Sequence, residues 1–147
     1  TVSEMRDFVL QECSDADAVI MAAAISDYRV KEIADNKIKK REDHDMYIEL
    51  VQNDDFLKEV PDNVKKIGFA AETENLEQNA IKKLNNKNLE FIVANDVTLE
   101  GAGFAVDTNK VSIIDKSGTI TDYPLQSKYD VANIILDKLS QIIKSKN

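Results

Sequence analysis

The sequence predicts an α/β fold of three layers, with a mostly parallel sheet, helices on both faces and a late antiparallel hairpin. Three observations carry this reading. Apolar runs of strand length alternate with stretches whose apolar residues recur at helical spacing, and a glycine-containing connection joins two alternating runs late in the chain. The 147 residues, 43% of them hydrophobic, suffice for one domain with a sizeable core, so residues 1–147 are read as a single domain.

Thr1 and Glu4 have the spacing of a capping box, and Val2, Met5, Phe8, Val9 and Cys13 follow at helical spacing, so a helix starts at once. In a βαβ architecture a strand precedes such a helix, which predicts a domain entered partway through its fold. Ala18 to Ala24 is a strand-length apolar run, and Met46 to Val51 alternates as a strand does. Asp54 to Val60 reads as one or two helical turns ended by Pro61, before a strand from Lys66 to Ala71. Glu74 to Asn86, with Thr73 as N-cap and Leu76, Ala80, Ile81 and Leu84 on one face, is a helix leading to the apolar run Leu89 to Ala94. Lys110 to Asp115 and Thr119 to Tyr123 flank Lys116-Ser117-Gly118, a hairpin connection. Ser127 caps a last helix with Val131, Ile135, Leu139 and Ile142 as its apolar stripe and a fraying, lysine-rich end. Strand, helix, strand followed by a hairpin describes a Rossmann-like architecture.

A formal charge of −8 disfavours nonspecific binding to nucleic acid or to an acidic membrane surface, so an anionic ligand needs a local gathering of lysines. Cys13 is the only cysteine, which excludes an internal disulfide framework and a thiolate metal cage and fits a reducing compartment; it reads as core packing. No run approaches the roughly 18–20 apolar residues of a membrane span, and no secretory leader is visible, so a cytoplasmic protein is expected.

Three buried runs end alike. Ala22-Ala23-Ala24 leads to Ser26 and Asp27, Gly68-Phe69-Ala70-Ala71 to Glu72 and Thr73, and Val93-Ala94 to Asn95 and Asp96. In open parallel sheets ligands bind beyond the carboxyl ends of the strands, where small side chains let a ligand reach the backbone. Turn chemistry and helix capping alone could account for Thr73, Asn95 or Asp96 singly; the repetition with small residues is what points to a site. No glycine fingerprint of the dinucleotide or P-loop kind occurs. Lys82, Lys83 and Lys87 lie on or just after the helix following Phe69, with Lys83 and Lys87 on one side of it; a solvated basic face is the alternative. His44, in the polar run Arg41 to Asp45, reads as an exposed loop residue without a role.

Together, Met21-Ala22-Ala23-Ala24-Ile25-Ser26-Asp27-Tyr28-Arg29, Lys37-Ile38-Lys39-Lys40, Gly68 to Thr73, Lys83 to Lys87-Asn88 and Ala94-Asn95-Asp96 resemble the phosphopantothenoylcysteine synthetase (phosphopantothenate-cysteine ligase) family. Gly103-Phe104 with Asp107 and Asn109 is similar to that family too. The resemblance implies an enzyme of coenzyme A biosynthesis. Such an enzyme activates the carboxylate of 4'-phosphopantothenate with CTP, or alternatively ATP, as an acyl-nucleotide, and cysteine's amine then forms the amide. It further implies Mg2+ on the triphosphate, a homodimer, and in many bacteria a fusion behind a flavin-dependent phosphopantothenoylcysteine decarboxylase.

Carried over by resemblance, Met21, Ala22, Ala23, Asp27, Phe69, Lys83 and Lys87 are nucleotide contacts, and Lys37 is the catalytic lysine on a mobile segment. Asn53 and Asp54 are further nucleotide contacts, although this chain reads Asn53-Asp54-Asp55-Phe56 where the family has Asn-Pro-Asp-Ile. No metal-ligand cluster is visible, and magnesium held on phosphates needs few protein ligands. The family's glycine-rich amino-terminal region and its essential asparagine have no counterpart in these residues, so the resemblance predicts an inactive or nearly inactive piece when alone. The competing reading is a non-enzymatic nucleotide- or dinucleotide-binding module of Rossmann type.

Overall fold

A computed structural model describes residues 1–39, 45–72, 74–103 and 105–145. Helix α1 (Val2–Glu12) opens the chain, capped by Thr1, whose side chain accepts a hydrogen bond from the Glu4 N–H while the Glu4 carboxylate turns back to the cap. Strand β1 (Ala18–Met21) follows, then β2 (Tyr28–Val30), β3 (Leu50–Gln52), a short 3-10 turn (Phe56–Lys58) and β4 (Lys65–Glu72). Helix α2 (Leu76–Asn86), β5 (Phe91–Asp96), β6 (Thr108–Asn109), β7 (Val111–Asp115), β8 (Ile120–Asp122), β9 (Gln126–Ser127) and α3 (Lys128–Lys144) complete it.

The main sheet has the order β1-β4-β5-β7-β8. β1, β4 and β5 are parallel neighbours, β7 runs against β5, and β8 runs against β7, so four of the five strands point the same way. Alternation along each strand builds two cores, one per sheet face. Ile92 and Ala94 of β5 join Ala80 and Leu84 of α2, with Val9 and Leu10 of α1, on one face. Phe91 and Val93 join Val131, Ile135 and Leu139 of α3 on the other. The apolar stripe read in the last helix is therefore the face that packs, and Cys13 is a buried core residue whose thiol burial pushes upward in pKa, away from reactivity.

Several expectations are revised. The first strand ends at Met21, leaving Ala22, Ala23 and Ala24 beyond it as irregular chain. Met46 to Val51 is a strand only from Leu50, because β3 pairs with β2 in a separate two-stranded ribbon that lacks a core to receive alternate side chains; Met46 and Ile48 are exposed. The tyrosine and arginine of the first strand end, Tyr28 and Arg29, form the other half of that ribbon. Helix α2 starts two residues later than expected, with Asn75 rather than Thr73 at its N-cap; Asn75 takes the left-handed conformation (φ 51°) that asparagine tolerates. Thr73 itself, Lys40, His44 and Phe104 lie outside the described residues. The second ribbon, β6 with β9, was not legible either; it draws the start of α3 beside Asp107, whose carbonyl accepts from the Lys128 N–H at 2.9 Å. Among the described residues no helix is long and apolar enough to cross a membrane.

At the amino ends of the central strands a charge cluster closes the core. The Lys65 ammonium lies 2.6 Å from the Glu90 carboxylate, and Lys116 lies 3.4 Å from it. Burial pushes Glu90 up in pKa, but the Lys65 hydrogen bond and both ammonium charges outweigh it, leaving the carboxyl below its ordinary value of 4.5. Asp115, which takes hydrogen bonds from Ser117 and Thr119 in the hairpin turn and faces Lys138, is likewise held below 3.8. A carboxyl whose pKa is lower folded than unfolded stabilises the fold above its unfolded pKa, and that contribution is lost as pH falls through the folded value. Urea unfolding midpoints are therefore expected to be flat near neutrality and to drop below about pH 4.5, with Glu90→Gln shallowing the drop. An equally steep drop in that variant would rule Glu90 out as a source.

Candidate functional site

Parallel pairing sets the site's level. Met21 stands opposite Gly68, and Ala71 and Glu72 stand opposite Asn95 and Asp96, so three strands finish at one edge of the sheet. A cavity of about 540 Å³ opens there, well within the range of small-ligand sites. Its wall at the first strand end is Met21 with Ala22, Ala23 and Ala24, small side chains that leave backbone within reach of a ligand. Gly68 contributes floor. A Cβ there would lie 2.7 Å from Leu89 Cδ1, so the bare backbone is needed to seat Leu89, which also lines the cavity.

Among the described residues the ionisable side chains lining the cavity are Lys83, Lys87 and Lys128 against one carboxylate, Asp27, in a chain of net charge −8. This concentrates positive charge where the rest of the molecule would repel an anion. Lys83 and Lys87 reach it from one side of α2, as their spacing predicts. Lys87 Nζ lies 3.0 Å from the Asp55 carboxylate, which also lies 3.8 Å from Lys58. Asp55 thus orients the lysine, and an incoming phosphate competes with it for the same ammonium.

Of the residues carried over by resemblance, the structure brings Met21, Ala22, Ala23, Asp27, Phe69, Lys83 and Lys87 into this one cavity. Lys37, Asn53 and Asp54 are not among its lining residues. Lys37 is exposed on the excursion between β2 and β3. The Asn53 side chain is already engaged: Nδ2 donates to the Ser26 carbonyl at 2.8 Å, and Oδ1 accepts from Arg29 at 3.1 Å.

For two strand-end residues local turn chemistry accounts for the side chain. Asp96 accepts from the Thr98 hydroxyl and N–H at 2.6 and 2.8 Å, hydrogen bonds that hold its carboxyl below 3.8. Ser26 Oγ donates to the Tyr28 carbonyl at 2.7 Å. Asn95 instead is buried and lines the cavity.

Lys128 and Asp55 were not among the contacts expected from the sequence, and Gly103 and Asn109, similar to the family there, were given no role in the site. Asn109 is buried with Oδ1 unpartnered among the described residues, and Lys128 arrives on the first turn of α3. Only the β6–β9 ribbon brings Lys128 to the sheet edge, so its number along the chain carried no signal. Asp55 could have been found as the acidic partner within the family's Asn-Pro-Asp-Ile block, which it matches. Among the described residues no group of three His, Cys, Asp or Glu side chains could hold a metal ion.

Comparisons with known proteins agree with this geometry. Residues 1–143 match the DNA/pantothenate metabolism flavoprotein C-terminal domain family. The chain is 43% identical over 147 residues to the coenzyme A biosynthesis bifunctional protein CoaBC of Bacillus subtilis (strain 168), covering 98% of this chain and 36% of that protein. It is 36% identical to a protein named cysteine/cysteine sulfinic acid decarboxylase from an unknown prokaryotic organism, covering 97% of this chain and 41% of that one. The crystal structure of the C-terminal domain of a CoaBC protein superposes with a TM-score of 0.77 at 34% identity, over 99% of this chain and 64% of that one. The chain therefore spans roughly a third to two thirds of the proteins it matches. With a match running almost end to end and a shared mixed sheet, the chain belongs to the DNA/pantothenate metabolism flavoprotein C-terminal domain family.

Proposed function

We propose that this chain is the nucleotide-binding part of a phosphopantothenate-cysteine ligase, in which CTP activates the carboxylate of 4'-phosphopantothenate as an acyl-cytidylate and cysteine's amine then displaces CMP. The observation that carries the reading is the cavity at the shared carboxyl edge of β1, β4 and β5, rimmed by three alanines and three lysines in an acidic molecule. Its family membership supports the same activity. The relative named a decarboxylase is more than twice as long as the matched segment, so its name applies to the longer chain.

Attack of a carboxylate on the α-phosphate brings negative charges together, and fixed ammonium groups aimed at the developing charge lower that barrier. Lys83, Lys87 and Lys128 supply such groups, and lysine's compact charge on a flexible stem follows the phosphates as they move. The alanine wall lets backbone N–H groups and carbonyls approach the nucleotide, and half-buried Phe69 offers a ring face beside them. Mg2+ would be held chiefly by the triphosphate with the lining carboxylate of Asp27, and would neutralise phosphate charge. Lys37 acts from the arm between β2 and β3, outside the cavity in the ligand-free chain.

A second copy of the chain is the partner we assign to that arm. Ile33, Met46, Tyr47, Ile48 and Leu50 are all exposed there, Tyr47 at 88%, apolar side chains that a partner would cover. Sedimentation is expected to find a dimer, and Leu50→Asp to shift it toward monomer; a monomer at all concentrations would remove the proposal.

CTP at a hundredfold its dissociation constant is expected to stabilise the chain by about 2.7 kcal/mol, a rise of roughly 5–10 °C in melting temperature. Lys87→Ala should weaken CTP about tenfold or more, the share of one charge-assisted contact. No shift with either CTP or ATP would exclude the reading. In the longer polypeptides that carry this domain, Lys37→Ala is expected to lower acyl-cytidylate formation at least about hundredfold while changing CTP affinity modestly. A non-enzymatic binding module would show the affinity change alone.

A further inference from the structure

The loop that carries Asp27 and the arm that carries Lys37 meet at one small cluster of hydrogen bonds. The backbone N–H of Asn53 donates to the Asp27 carbonyl at 2.8 Å, and its side-chain Nδ2 donates to the Ser26 carbonyl at 2.8 Å. On the other side, Arg29 Nη1 donates to both the Gln52 carbonyl and Asn53 Oδ1, each at 3.1 Å. Asn53 therefore uses its backbone donor and both ends of its carboxamide within this cluster, and the Arg29 guanidinium spans the first residues of the ribbon from β2 to the end of β3.

The position of these bonds matters more than their number. β2 and β3 are paired only with each other and take no place in the main sheet, so strand pairing does not fix the ribbon's direction relative to the cavity. Residues 31–39 and 45–49, Lys37 among them, lie beyond its far end and outside any strand of the main sheet. Asp27 lines the cavity, whereas Arg29 and Asn53 do not. A small rotation at the ribbon's root is amplified along the arm, and the same rotation pulls on the Ser26 and Asp27 carbonyls. Both acceptors are served by the one nitrogen Nη1, whose two hydrogens lie in the guanidinium plane and so fix the two bonds relative to each other.

We propose that Arg29 and Asn53 are positioning residues: they fasten the root of the Lys37-bearing arm to the Asp27-bearing loop, and so set both relative to bound nucleotide. The inference rests on the nucleotide-binding reading above and goes beyond it in assigning Asn53 to the fastening rather than to direct contact with the ligand.

Two measurements on the 147-residue chain decide it. In the ligand-free protein, Arg29→Ala is expected to speed amide exchange at Asn53 by about tenfold while leaving the β4 and β5 amides unchanged. Unchanged exchange at Asn53 overturns the fastening. By titration, Arg29→Ala and Asn53→Ala should each weaken CTP by about fivefold to tenfold, and the double variant no more than the worse single one, because both act through one link. Added guanidinium ion should restore affinity to Arg29→Ala and leave Asn53→Ala unchanged. Additive losses would mean that Asn53 touches the nucleotide on its own, and would overturn the assignment. Arg29→Gln, with the same expected losses, replaces Arg29→Ala should the alanine variant lose its fold by circular dichroism. A chain that binds no CTP overturns the nucleotide reading and with it the positioning role, while the exchange result still reports on the fastening itself.

Discussion

Parallel pairing of β1, β4 and β5 is the constraint on which everything at the site depends. Parallel neighbours end at the same edge, so the irregular chain leaving one strand lies beside that leaving the next. Val93 and Ala94 of β5 are fully buried between partners on both sides, which leaves the register little freedom to slip. A shift of one residue would turn Phe91 and Val93 from the α3 face to the α2 face and exchange two fitted cores. The cavity's floor is thus fixed by packing remote from any ligand, and its rim is made of residues the sheet no longer needs.

Charge is distributed by the same architecture. The chain carries a net −8, yet lysines of α2 and α3 converge at the carboxyl edge, while Lys65, Lys116 and Glu90 neutralise one another at the opposite edge. The first group gathers ammonium groups on the cavity wall, and the second holds strand ends together. Lys87 sits between these roles because Asp55 holds its ammonium near the cavity; both side chains are about one third exposed, so the pair adds little stability and serves mainly orientation.

Much of this was legible in the residues. The capping box at Thr1, the N-cap at Ser127, the apolar stripe of α3 and the hairpin turn at Gly118 (φ 81°) follow local rules that neighbouring residues satisfy among themselves. Asp96 and Ser26 show the limit. Each sits at a strand end where turn chemistry and ligand contact are both open from sequence, and only their hydrogen bonds assign them to turns. Met46 to Ile48 alternates like a strand and yet belongs to no strand among the described residues, because alternation requires a covering layer before it becomes a sheet.

The sequence by itself determined the alternation of strands and helices and the side of α2 on which Lys83 and Lys87 stand, since periodicity and capping act over a few residues. Tertiary structure alone decided that Lys128 joins those lysines, that Asp55 holds Lys87, and that Asn53 bonds to Ser26 and Asp27. Those relations link residues 26 to 45 positions apart, and no local pattern encodes a distance that only the closed sheet and its two ribbons bring down to a hydrogen bond or a shared cavity wall.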